Sequence, residues 1–311
     1  MKIKTLLQLV CILPLIGSCM SGSNPDPAAD STYNPPYTPP AVVPPTTVTP
    51  PSGNDQRWTR IPMHYKILKG QPHLWNEAGG ARSLTLSQYT SAGSYSVNLS
   101  STSGLVVPQL ISYRGTDGNF YSVQLQSITG NTVRLATPLE RDVYKGNNAW
   151  NFYEDGAHPN WAGSFAIADF SVRYLGWSRL NQGKHVLFGD SWFSRNSVFQ
   201  RLSSRLPGAS FSNKGVGGHT ASDLLARFDA DVRWQNPNFV WIMTGTNDYW
   251  QNVSSSVYKS NMRQLINKVL AIGATPIVFD ASVGPLNFGS DWKTQLSRSY
   301  VVSMDQLVNE N

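Results

Sequence analysis

Apolar and polar positions change rhythm along the chain. Between Trp58 and about Leu139 the apolar residues come in short or alternating runs, "SLTLSQY", "SYSVNLS", "LVVPQLISY", "NFYSVQLQSI" and "NTVRLATPL", separated by turn sequences such as "TDGN" and "ITGN". A period of two sets one face of a strand against a core, and glycine-bearing turns between such runs predict an all-β module of antiparallel strands. From Pro159 onward the texture is mixed. Ile167, Phe170, Tyr174 and Trp177 recur at helical spacing, while "HVLFGD", a run beginning at Phe211, "FVWIMTG" and "TPIVFDA" read as short buried strands. Met262, Leu265, Ile266, Val269 and Leu270 mark an amphipathic helix, and Leu296, Tyr300, Met304 and Leu307 mark another. Strands alternating with helices predict an α/β domain on a doubly wound parallel sheet, which takes its ligands beyond the carboxyl ends of its strands.

Upstream of Trp58 neither rhythm is present. From Ser21 to about Gly53 the sequence is dominated by Pro, Ser, Thr and Asn, as in "YNPPYTPPAVVPPTTVTPPSG", and reads as an extended, semi-rigid tether. Before it, Lys2 and Lys4 precede a mostly apolar run from Leu6 to Ile16, too short for a comfortable membrane span. This is the pattern of a secretion signal. Ile16-Gly17-Ser18-Cys19 resembles a bacterial lipobox, which implies diacylation of Cys19 as the first residue of the mature chain; the alternative is an ordinary cleavage site with an incidental cysteine. The organisation expected is a lipoprotein signal peptide over 1–18, a Pro-rich tether over 19–54, a β-rich module over 55–145 and the α/β domain over 146–311. The lipid would hold the protein on a bacterial envelope without crossing it. Met20 does not resemble an inner-membrane retention signal, which favours the outer membrane.

Composition narrows the partners. With 311 residues, 40% of them hydrophobic and 14% charged, the chain can bury a full core and is not disordered throughout. The net charge of +6 is scattered, with no basic run to follow a phosphate backbone, so nucleic acid is not an expected partner. Cys11 would leave with the signal, so no internal disulfide is expected. The five histidines do not combine with other residues at metal-ligand spacing, and no metal or other cofactor is expected.

The predicted strand ends carry the candidate chemistry. The first ends in "FGDSW", where Ser191 sits at a strand-to-helix turn that exposes a hydroxyl and aims backbone N–H groups outward. A serine there is more often a helix cap. The second ends in "NKGVGGHT", a glycine-rich turn that lets backbone approach a ligand, and the third in "TGTND", which alone would read as an Asn/Asp turn. Together these three resemble the SGNH hydrolases, the GDSL esterase and lipase family, over roughly Phe188 to Asp248. The resemblance implies a nucleophilic Ser191, with Ser191, Gly218 and Asn247 forming an oxyanion hole. It also implies a closing Asp-x-x-His motif, yet no histidine follows Asp248.

Asp155-Gly156-Ala157-His158-Pro159-Asn160 resembles that missing motif, displaced to the N-terminal side of the first, and "WAGSFAIADFSVRYLGW" reads like the helix that normally ends the family's domain. A circular permutation, with the chain cut before Asp155, accounts for the order. Asp155 and His158 then complete a triad with Ser191, since catalysis depends on position in space. The fifth sheet strand of the family would come from upstream, from Thr132 to Leu135, or be missing. His219 lacks a paired acid, His185, His64 and His73 read as structural, and Asp190 and Asp248 as turn formers.

The implied activity is that of a serine esterase working through an acyl-enzyme, with O-deacetylation of an envelope or extracellular polysaccharide as the leading substrate class. The alternatives are a lipase, arylesterase or acetyltransferase of the same fold, and a noncatalytic glycan-binding lipoprotein.

Overall fold

Two sheets divide the chain in the computed structural model, which describes residues 58–69, 82–155, 157–280 and 292–310. The expected signal, Cys19, the tether and His73 lie outside these residues. The chain runs β1 (Thr59–Ile61), α1 (Met63–Lys66), β2 (Ser83–Leu86), β3 (Ser96–Asn98), β4 (Gln109–Arg114), β5 (Phe120–Thr129), β6 (Thr132–Leu135) and β7 (Gly146–Asn151). It continues through α2 (Trp161–Leu175), α3 (Trp177–Leu180), β8 (Lys184–Gly189), α4 (Ser191–Ser194), α5 (Ser197–Arg205), β9 (Ser210–Gly215) and α6 (Ala221–Asp231). The last elements are β10 (Phe239–Met243), α7 (Thr246–Trp250), α8 (Ser255–Ala271), β11 (Thr275–Phe279) and α9 (Trp292–Asn309).

The predicted α/β domain is built on a parallel sheet of order β1-β11-β10-β8-β9. Its central strands are buried without interruption from Phe239 to Met243 and from His185 to Gly189, because helices cover both faces. Val186, Phe188, Val240 and Ile242 pack with α6, α8 and α9, whereas Leu187, Trp241 and Phe279 pack with α2, α4 and α5. Gly189 pairs with Met243 on one side and Gly215 on the other. The carboxyl ends of β8, β9 and β10, and hence the three motifs, are therefore level.

The fifth strand is β1. Thr59, Arg60 and Ile61 pair with Ile277, Val278 and Phe279 at the sheet edge. Thr132–Leu135, proposed for that place from its sequence, is instead β6 and pairs antiparallel with β5 and β3. Its Val133 and Leu135 are buried while Thr132 and Arg134 are exposed, the one-sided pattern of an antiparallel sheet with a wet face.

The second sheet, of order β2-β7-β4-β5-β6-β3, encloses its own core of residues such as Leu84, Ile111, Val123 and Leu135. The boundary drawn between 145 and 146 is crossed in both directions: β1 joins the parallel sheet, and β7 pairs antiparallel with β2 and β4. The two sheets are fastened through α2. Buried Asp169 accepts a hydrogen bond from Phe120 N–H (2.7 Å) and pairs with Arg201 of α5 (2.7 Å), while the Arg173 guanidinium lies 4.1 Å from the Tyr121 ring centre.

Candidate active site

Ser191 begins α4 directly after β8. Asp190 caps this helix, its carboxylate accepting from Trp192 N–H (3.0 Å), while its own N–H donates to Met243 O (3.1 Å). The turn that bears Ser191 presses so closely on β9 that a side chain at Gly215 would overlap the backbone of Phe193 and Ser194. Asn213 braces the same turn by donating to Phe193 O and Asn196 Oδ1, each over 2.7 Å.

His158 is delivered from the other sheet. After β7 the chain makes a tight turn closed by a Tyr153–Pro159 bridge and by Glu154 N–H donating to His158 O (3.0 Å). It then enters α2 through Asn160, whose side chain caps Gly163 N–H (3.0 Å). This brings His158 Nε2 to 3.0 Å from Ser191 Oγ and sets Nδ1 3.0 Å from both carboxylate oxygens of Asp155. Asp155 Oδ1 also accepts from the N–H groups of Ala157 (2.8 Å) and His158 (2.7 Å). Burial pushes the Asp155 carboxyl upward, but the hydrogen bonds from His158 and Ala157 outweigh it and hold its pKa below the usual range. A carboxylate there keeps the ring proton on Nδ1 and leaves the Nε2 lone pair for the serine hydroxyl.

The two glycine- and asparagine-bearing turns meet at the same edge. Gly218 adopts φ +82°, open to glycine and costly for other residues, and is exposed just beyond β9. A Cβ placed on neighbouring Gly217 would lie 3.9 Å from Ser191 Cβ, so this backbone passes against Ser191. Asn247, in α7, donates from Nδ2 to His219 O (2.9 Å) and thereby ties the third motif to the second. Beside it, both oxygens of buried Asp248 face Ala221 N–H (3.0 and 3.2 Å). Burial raises Asp248 to about 6 and Asp190 to about 7.

The side chains of His219 and His185 are engaged elsewhere. His219 Nδ1 accepts from Arg227 Nε (3.1 Å). Buried His185 bonds Gln182 O (2.9 Å) and accepts from Trp241 Nε1 (3.0 Å), and His64 falls in α1. Among the described residues no group of three His, Cys, Asp or Glu is placed to hold a metal ion. Two residues at the site were not singled out from the sequence. The Arg195 guanidinium stands 3.1 Å from His158 Nδ1 and 3.4 Å from Asp155 Oδ2, and it pairs with Glu154. The available signal was spacing: Arg195 follows Ser191 by one helical turn, and Glu154 adjoins Asp155.

Residues 183–310 match the model of the GDSL-like lipase/acylhydrolase family. The match begins beyond Asp155 and His158. An acetylxylan esterase of Geobacillus stearothermophilus is 38% identical over 64 residues, covering 17% of this chain and 29% of that protein. Thioesterase 1/protease 1/lysophospholipase L1 of Escherichia coli K12 is 25% identical over 115 residues, covering 37% of this chain and 49% of that protein. The matched stretches thus span half or less of these curated relatives. Among solved structures, that of an acetyl xylan esterase is 18% identical, with 41% of this chain and 73% of that one covered at a TM-score of 0.34.

Proposed function

From a chain that carries a GDSL-like lipase/acylhydrolase family domain, we propose a serine esterase that removes acetyl groups from an acetylated carbohydrate. The observation that carries this reading is the 3.0 Å approach of His158 Nε2 to Ser191 Oγ, with Nδ1 held by Asp155. Ser191 Oγ attacks the ester carbonyl as its proton passes to Nε2. Asp155 stabilises the resulting imidazolium. The Ser191 and Gly218 N–H groups and the Asn247 amide receive the oxyanion. Collapse breaks the ester C–O bond, and His158 returns the proton to the departing sugar hydroxyl. Water, deprotonated by His158, then attacks the acetyl-enzyme, releasing acetate and restoring Ser191.

The order of the site follows from a permuted domain. Its seam lies upstream of β1, since β1 occupies the edge position beside β11 that the family's fifth strand would take. The antiparallel sheet is then an insertion between that strand and the Asp155 turn. The β-rich part of the chain would then lie next to the base, where it could border bound substrate. The acetylated-carbohydrate reading draws on the acetylxylan esterase relative. A lipid on Cys19 would hold the enzyme at the bacterial envelope, and the outer membrane is the proposed site.

The test is acetate release from aryl acetates and from acetylated xylo-oligosaccharides by the full chain in detergent, with Ser191→Ala as control. Release from both by the wild type alone supports the proposal. Hydrolysis of long acyl esters in preference to acetylated sugars would move the assignment to a lipase. Sugar binding without turnover would make the protein a glycan-binding lipoprotein.

A further inference from the structure

We propose that Arg195, paired with Glu154, is a positioning residue that fastens the base-bearing turn to the nucleophile while adding no net charge beside the imidazole. The inference rests on the esterase reading of Ser191 and His158.

The turn from Tyr153 to Pro159 is closed largely on itself, through the Tyr153–Pro159 bridge and the Glu154–His158 backbone bond. It arrives from the antiparallel sheet and leaves into α2, whereas Ser191 begins α4 just beyond β8 of the parallel sheet. Across this junction run the Nε2–Oγ bond, the Tyr153–Trp192 ring contact at 6.4 Å and the Arg195 guanidinium. Arg195 is well placed to act as a brace because its own N–H donates to Ser191 O (3.2 Å). The side chain is thereby referenced to the nucleophile's backbone. From there one nitrogen pairs with Glu154 and the other reaches Asp155 Oδ2 (3.4 Å). A planar guanidinium can meet two carboxylates at fixed angles, and an ammonium cannot. With its proton on Nδ1, the ring offers Arg195 no lone pair there, so the carboxylates are the bonding partners.

Charge explains why Glu154 belongs to the device. An isolated cation 3.1 Å from the ring would oppose formation of the imidazolium, the species generated when Ser191 attacks. Glu154, with its side chain 13% exposed, cancels that cation. Among the described residues, the other titratable groups facing His158 are Asp155 on its own turn and buried Asp190 at the start of α4, which burial pushes toward its neutral form. The two halves of the pair therefore have separable effects: removing Arg195 loosens the turn, and removing Glu154 exposes the cation.

The test compares Arg195→Gln, Arg195→Lys, Glu154→Gln and the double variant Arg195→Gln/Glu154→Gln in the full chain. Aryl acetate hydrolysis is followed across pH, and labelling of Ser191 by a fluorophosphonate is timed by intact mass. Arg195→Gln should lower kcat about 10-fold or more with KM within about two-fold of wild type, and Arg195→Lys should recover only part of the loss. Glu154→Gln should move the acid limb of kcat/KM to lower pH by about half a unit, because the uncancelled cation disfavours the protonated ring. Arg195→Gln should move it the opposite way, and the double variant should return it. A merely structural role would reduce folded protein without moving the limb in opposite directions. All variants within about two-fold of wild type, with one common acid limb, would overturn the proposal. If the wild type hydrolyses no ester, the esterase reading fails and labelling decides the clamp: about 10-fold slower labelling of Arg195→Gln supports it, and equal labelling overturns it. A wild type that neither turns over nor labels overturns both.

Discussion

Asn247 Nδ2 donates to the carbonyl oxygen of His219 over 2.9 Å, joining the turn after β10 to the turn after β9. A primary amide has two N–H donors, so this bond fixes the amide plane and leaves a second donor for the site. The glycine turn and the asparagine turn thus form one unit, level with Gly189 and the Ser191 turn that follows it.

If that second donor meets the oxyanion, its loss should appear in the chemical step. Asn247→Ala is expected to lower kcat by about 10²–10³-fold with little change in KM. Steady-state kinetics on an aryl acetate check this. A loss confined to KM would mean that the amide contacts the ground state alone.

Ser191, His158 and Asp155 should behave as a unit. Ser191→Ala and His158→Ala are each expected to reduce turnover to near background, and combining them should add little. Asp155→Asn should cost about 10⁴-fold, because an amide side chain can select the wrong ring tautomer. Kinetics of the variants, with circular dichroism to verify folding, test the set. Additive losses in the double variant would count against a shared proton path.

The strand ends that bear the motifs were legible because a strand buried on both faces leaves an apolar run, and glycine, serine and asparagine beyond it mark the turn. "HVLFGDS" and "FVWIMTGTND" carry both signals together. β1 carried neither, being three residues, "TRI", whose partner β11 lies more than two hundred positions away. Thr132–Leu135 looked like a strand and is one, but its strict alternation belongs to a one-sided sheet. β7 was concealed by asparagines in "GNNAWN", two of which occur among its first three residues. Asp155 and His158 were readable as a local motif. The brace from Arg195 was not, because it is created only where two sheets meet.

Asp169 should prove costly to remove. It is fully buried, accepts from Phe120 N–H and from two nitrogens of Arg201 (2.9 and 2.7 Å), and lies 3.4 Å from Arg205. Asp169→Ala leaves those cations and the strand N–H without their carboxylate. The expected loss is about 3–5 kcal/mol, since breaking one side of a buried pair strands the other. Urea unfolding followed by tryptophan fluorescence measures it. An unchanged midpoint would show that solvent or neighbouring groups take over the role.

Asp190 makes stability depend on pH in a direction opposite to that of an ordinary paired carboxylate. Burial raises its pKa to about 7, opposed by the Trp192 N–H bond and the charge of His158. In the unfolded chain the same group titrates near about 3.9. The native state therefore keeps a proton that the unfolded state has released. Its stabilising contribution is complete below about pH 4 and is lost as pH rises through about 7. Asp248, raised to about 6, acts with the same sign over a narrower range. Asp190→Asn preserves an oxygen acceptor for Trp192 N–H while removing the titration. Its melting temperature should accordingly gain on that of the wild type between about pH 4 and about pH 7. Differential scanning calorimetry at matched ionic strength tests this, and parallel pH profiles for the two proteins would contradict a buried, protonated Asp190.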